Sequence, residues 1–131
     1  MNTVLLVDDE LVIREGCGRA FQKAGFRVLT AVNGREALDL LDTELVDAIL
    51  CDLKMPVMGA IQVMQEVMER YPRVPVIIIT GQGTVANAVE CIRKGAYDFI
   101  TKPFRIDHLI TVVQRAIDKL PPLPRFEKLP F

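Results

Sequence analysis

Apolar residues in this chain come in short runs that each end on a polar group. Val4-Leu5-Leu6-Val7 runs into Asp8-Asp9, Ala48-Ile49-Leu50-Cys51 into Asp52, Val76-Ile77-Ile78-Ile79 into Thr80, and Phe99-Ile100, one residue on, into Lys102. Runs of this length, apolar on both faces, predict strands buried on both sides, the mark of a parallel sheet covered by helices. Between them the pattern changes to helical spacing. Val12 or Ile13, Cys17, Ala20, Phe21 and Ala24 mark one helical face, and Gly25 is placed to end it. Arg27 to Ala31 reads as a further short strand. Asn33 is a good N-cap with Glu36 three residues on, and Ala37, Leu38 and Leu41 line the helix that follows. Met64, Val67, Met68 and Tyr71 recur at helical spacing, as do Val85, Ala88, Val89 and Ile92, with Gly95 as a stop. Asp98 to Thr101 is a short last strand. A last helix from about Ile106 to Lys119 is expected to bury Leu109, Val113, Ala116, Ile117 and Leu120.

The alternation is (βα)5, an α/β fold with right-handed crossovers and helices on both faces of the sheet. The flavodoxin-like, doubly wound strand order 2-1-3-4-5 puts the first and third strands side by side. Ligands of such sheets bind in the crevice at the carboxyl ends of the strands. Asp8, Asp9, Asp52, Thr80 and Lys102 are therefore expected to converge on one small site.

Composition narrows the setting. The chain has 131 residues, half of them hydrophobic, no Trp and a net charge of −1. That suits one domain over residues 1–120. It gives no polybasic character to suggest direct nucleic-acid or membrane binding. Residues 121–131 carry Pro121, Pro122, Pro124 and Pro130 and read as a proline-rich tail or the start of a linker. There is no signal-peptide pattern and no apolar run of membrane-spanning length. Cys17, Cys51 and Cys91 are odd in number, widely spaced and outside any metal-binding pattern. They are expected as reduced, mostly buried thiols of a cytoplasmic protein.

The expected site has its own chemistry. Three carboxylates at one place repel, so either one holds a proton or a cation neutralises them. Oxygen ligands without His or Cys favour Mg2+, with Mn2+ as the alternative, over Zn2+. A lysine and a threonine hydroxyl can both meet phosphoryl oxygens, and a carboxylate can serve as nucleophile. The set is the equipment for phosphoryl transfer.

From about residue 2 to residue 119 the chain resembles a bacterial response-regulator receiver domain. The motifs are Val-Asp-Asp-Glu at 7–10, Cys-Asp-Leu-Lys-Met-Pro at 51–56, Ile-Thr-Gly at 79–81 and Lys-Gly-Ala-Tyr-Asp-Phe-Ile-Thr-Lys-Pro-Phe at 94–104. The stretch from Thr80 to Val89, with that from Gly95 to Phe104, is most similar to receivers of NtrC-like transcriptional activators. The resemblance implies that Asp52 accepts a phosphoryl group from a histidine kinase. Asp9 then binds Mg2+ directly, Asp8 supports it, and the backbone carbonyl of Lys54 completes the metal site. Lys102 pairs with the phosphoryl group, Thr80 moves to hydrogen-bond it, and Phe99 takes the switch-aromatic position. Lys54 and Gln82 stand where side chains tune phosphoryl lifetime, and the Lys102-Pro103 bond is expected cis. The face made by the fourth helix, fifth strand and fifth helix is the expected readout surface. It would contact an output domain or downstream protein, or form a phosphorylation-dependent homodimer, in the service of transcription control.

Two features depart from the family pattern. Met58-Gly59-Ala60 stands where Met-Asp-Gly is usual, so the glycine is shifted by one position. Gly16 and Gly18 lie mid-helix, each at a cost of about 0.8–1 kcal/mol relative to Ala. Two other functions compete with the switch. A Mg-dependent phosphatase with an Asp nucleophile, of the haloacid-dehalogenase type, wants Asp-x-Asp after the first strand, and Asp8-Asp9-Glu10 has the wrong spacing. A phosphate-independent interaction module is at odds with the presence of all five functional groups. The domain is expected to catalyse only its own phosphorylation and dephosphorylation.

Overall fold

The computed structural model describes residues 1–53, 59–81 and 85–123. In chain order the elements are β1 (Thr3–Val7), α1 (Leu11–Lys23), β2 (Arg27–Ala31), α2 (Gly34–Thr43), β3 (Ala48–Asp52), α3 (Ala60–Arg70), β4 (Val76–Thr80), α4 (Val85–Arg93), β5 (Asp98–Thr101) and α5 (Ile106–Ile117). The five strands form one sheet in the order β2-β1-β3-β4-β5, and every pairing is parallel. The register sets Val7 beside Cys51, Asp52 beside Ile79 and Thr80 beside Thr101. The carboxyl ends of β1, β3, β4 and β5 are thereby level, which is what brings the polar groups that follow them to one edge.

Alternation along each strand splits the core in two. On one face Leu5, Val7, Ile49, Cys51 and Ile78 pack with Leu38 of α2, Met64 of α3 and Cys91 of α4. On the other Val4, Leu6, Leu50, Ile77 and Ile79 pack with Phe21 of α1 and Leu109 and Val113 of α5. Phe21 meets Phe26 edge to face, with ring centroids 5.2 Å apart, at the turn out of α1. Cys17, Cys51 and Cys91 are all buried free thiols.

Helix ends follow local chemistry. The Asn33 side chain accepts the Glu36 N–H at 2.9 Å, and Glu36 in turn accepts the N–H of Val32, one residue before the cap. Gly25 and Gly95 end α1 and α4 with positive φ, at 95° and 111°. Gly95 has a second reason to be glycine: a Cβ there would run into the side chain of Met68. The shifted Gly59 is the N-cap of α3, at φ −80°, so this glycine is not itself in a left-handed conformation.

Several helical faces differ from the expectation. In α1 the buried residues are Cys17, Gly18 and Phe21, while Val12 and Ala24 are exposed. A Cβ on Gly18 would make ordinary contacts with Val28 and Leu6, at 3.7 and 4.0 Å, whereas one on Gly16 would meet nothing within 4 Å. Met68 is exposed, reaching across Gly95 instead of into the core, and Tyr71 is half-buried. In α4 Cys91 is buried and Ala88 half-buried, while Val89 and Ile92 remain 48% and 41% exposed. Among its described side chains, the small Cys91 and Ala88 pack with the core and the bulkier Val89 and Ile92 face outward. The side chain of Val85 lies outside the described set. In α5 Val112 is buried with Leu109, Val113 and Ala116, and Ile117 is half-buried. Lys119 takes φ 61°, which ends the helical path and leaves Leu120 exposed. Residues 121–123 form neither helix nor strand. Pro124 and Pro130 lie outside the described residues.

Two glycine substitutions test this packing by chemical denaturation. Gly16→Ala should stabilise the fold by about 0.5–1 kcal/mol, since it relieves a mid-helix glycine without a clash. Gly95→Ala should destabilise it by about 1–3 kcal/mol through its backbone conformation. Part of that loss should persist in a Met68→Ala background.

Candidate functional site

β1, β3, β4 and β5 each deliver one part of the site. β1 ends into Asp8, which is 1% exposed, and into Asp9 and Glu10, which face solvent. β3 ends on Asp52 and β4 on Thr80, both buried. Just past β5, Lys102 is held by its backbone N–H on the Thr80 carbonyl at 2.8 Å. The Lys102-Pro103 bond is cis, as expected. Carboxylate oxygens of Asp8, Asp9, Glu10 and Asp52 all lie within 4.8 Å of one another.

Among the described residues, Lys102 is the cation inside this cluster. Its Nζ lies 3.1 Å from Glu10 Oε1, 3.3 Å from Asp8 Oδ2 and 3.9 Å from Asp52 Oδ2. Burial works against the ammonium. The Glu10 hydrogen bond and the charges of Asp8 and Asp52 outweigh that and raise its pKa above the usual lysine value. Asp8 shows the opposite balance. Burial pushes its carboxyl above the usual aspartate value, although the Glu10 N–H and Lys102 both favour the ionised form. Asp8 Oδ1 accepts the Glu10 N–H at 2.9 Å, and the Asp8 carbonyl accepts from Arg14 Nη1 at 2.8 Å. Cys51, adjacent to Asp52, points away into the core, and burial drives its thiol pKa strongly upward, leaving it inert.

The structure thus brings together Asp8, Asp9, Asp52 and Lys102 as expected from sequence, with Thr80 at the neighbouring strand end joined to Lys102 through its backbone carbonyl. Phe99 is buried, 3% exposed, with its ring in the core on the α2–α4 side of the sheet. Lys54 and Gln82 lie outside the described residues. Sequence reasoning missed Glu10 as a member of the cluster. Its signal was there, since it continues the Asp8-Asp9 run, but an acid at a helix start reads equally well as a solvated first-turn residue.

The response regulator receiver domain family model matches residues 4–114. The chain belongs to this family. This receiver domain is 41% identical over 117 residues to the regulatory protein AtoC of Escherichia coli, covering 89% of the chain and 25% of that protein. It is 38% identical over 112 residues to the DNA-binding transcriptional regulator NtrC of Klebsiella pneumoniae, covering 86% and 24%. The chain therefore spans about a quarter of the length of these curated relatives. Among solved structures it is similar to the beryllofluoride-activated NtrC4 receiver domain dimer, with TM-score 0.86, 33% identity and coverage of 91% of this chain and 98% of that one. No helix among the described residues is long and apolar enough to cross a membrane.

The receiver's acidic cluster fits a hard divalent cation. The donors of Asp8, Asp9 and Asp52 are all oxygen, they converge, and Asp9 is open to solvent and so leaves room for bound water. The raised Asp8 pKa sets a pH dependence. A carboxyl whose folded pKa lies above its unfolded value binds its proton more tightly in the folded state, so stability falls as pH rises from about 3.9 through the raised value. In chelator, thermal melts should show that loss, and Asp8→Asn should remove it and raise the melting temperature at neutral pH. Millimolar Mg2+ should stabilise the wild type and leave Asp8→Asn nearly unchanged. A mutant that melts lower than wild type in chelator at neutral pH would contradict this balance.

Proposed function

We propose that this receiver is a phosphorylation switch whose phosphoacceptor is Asp52. The observation that carries the reading is the placing of one buried carboxylate, at the end of a central strand, among Asp8, Asp9 and Lys102. An Asp52 oxygen forms a bond to the phosphorus of a phosphohistidine on a partner kinase as the P–N bond breaks. The departing imidazole keeps the electron pair and takes up a proton. Asp8 and Asp9, with Asp52 itself and the backbone carbonyl of Lys54, would hold Mg2+, which supplies charge neutralisation for the carboxylates and the phosphoryl oxygens. Lys102 then pairs with one phosphoryl oxygen and Thr80 donates its hydroxyl to another. The acceptor side chain belongs to the protein, so the chemistry is self-phosphorylation and self-dephosphorylation, without turnover of a separate metabolite.

The readout we assign to the face of α4, β5 and α5. Its support is Val89 and Ile92, large apolar side chains left exposed on α4. Phe99, on β5 between the core and this face, is the switch aromatic. Having no hydroxyl, it acts by packing alone. The downstream function is transcription control through an output domain or a homodimer, in keeping with what its relatives are named for. Residues 121–131 we read as a proline-rich tail or the start of a linker.

Incubation with acetyl phosphate and Mg2+, followed by intact mass spectrometry, should show one added phosphoryl group, absent in Asp52→Asn and in chelator. An adduct that survives Asp52→Asn would move the acceptor elsewhere. For the output face, Ile92→Asp should leave phosphorylation intact and abolish any beryllofluoride-dependent change in size by light scattering. A size change that persists in Ile92→Asp would move the interface off α4.

A further inference from the structure

Glu10 is the N-cap residue of α1, with extended backbone at φ −88° and ψ 118°, yet its side chain makes no capping hydrogen bond. Its backbone is fixed on both sides, by the N–H on Asp8 Oδ1 at 2.9 Å and by the carbonyl accepting the Arg14 N–H at 3.1 Å. The side chain is turned to Lys102 instead. Of the three carboxylates around Nζ, Glu10 is the nearest at 3.1 Å and Asp52 the farthest at 3.9 Å. The ammonium is drawn to the Asp8–Glu10 side of the pocket, away from the group that it must serve.

We propose that Glu10 is a positioning residue that holds Lys102 in reserve, its carboxylate competing with a phosphoryl group on Asp52 for the same ammonium. The inference rests on the reading of Asp52 as phosphoacceptor. A divalent cation on Asp8 weakens that residue's hold on Lys102. Glu10, with a side chain 59% exposed, remains hydrated and keeps its partner. An ion pair this open shifts an equilibrium by only about two- to fivefold. That is too weak to block closure on a phosphoryl group and strong enough to set how readily closure occurs. A bond of this kind acts only through its difference between the open and closed pockets.

The test compares wild type, Glu10→Gln and Glu10→Asp. Glu10→Gln keeps the shape and removes the charge, while Glu10→Asp keeps the charge and shortens the reach by one methylene. In Mg2+-free protein, labelling of Lys102 by an amine-reactive reagent, read by peptide mass spectrometry, should rise about two- to fivefold in both variants. At saturating Mg2+, the rate of phosphorylation by acetyl phosphate should rise by a similar factor. Mg2+ affinity, measured by calorimetry on the metal alone, should change little. Unchanged Lys102 labelling would overturn the ion pair, and slower phosphorylation at saturating Mg2+ would overturn the competition. A loss of Mg2+ affinity of about tenfold or more in Glu10→Gln would make Glu10 a metal ligand and overturn the proposal as well. If wild type takes up no phosphoryl group, the Asp52 reading fails and this proposal falls with it. The labelling result still distinguishes that case from an absent ion pair.

Discussion

The concentration of negative charge at one edge of an apolar sheet is the constraint on which this molecule turns. Asp8, Asp9, Glu10 and Asp52 crowd together where β1 and β3 end, with Asp8 and Asp52 sealed from water. Such a cluster calls for a counter-charge or a proton, and among the described residues Lys102 supplies positive charge. The burial that raises the Asp8 pKa also makes an unneutralised negative charge there costly.

The fold fixes the position of these charges. Lys102 comes from the end of an edge strand, and its backbone is pinned to the Thr80 carbonyl. A pull on its side chain therefore acts where β4 and β5 meet. Phe99 lies three residues upstream on the same strand, packed into the core. On the outer side α4 presents Val89 and Ile92 to solvent. Among the described side chains of α4, Cys91 and Ala88 are the ones packed with the core. A charge event at one end of the sheet and a packing event on one lateral face share these few residues.

Strands were the most legible part of the chain, because a strand buried on both faces needs an unbroken apolar run and tolerates little else. β2 through β5 have the bounds that their residue pattern implied. Helix faces were less legible. For α4 the apolar residues at helical spacing pointed to Val89 and Ile92 as core, and the structure buries the smaller Cys91 instead. Apolar periodicity marks a face that will be covered without saying whether the cover is the sheet of the same molecule. At the end of α5, Leu120 continued the apolar period, but a left-handed Lys119 breaks the path before it.

In the site, residue type and place at a strand end were enough to choose Asp8, Asp9, Asp52, Thr80 and Lys102, since a parallel sheet carries all its carboxyl ends to one side. The chain order of those groups, and hence their convergence, follows from local patterning alone. Which carboxylate holds the lysine did not. Glu10 and Lys102 are 92 residues apart in the chain, and their 3.1 Å contact exists only because β1 and β5 are fixed on one sheet and α1 begins where it does. Linear sequence specifies the groups and the ends they occupy. The distances among them, and so the balance of attraction and burial that each one feels, arise only when the strands pair and water leaves.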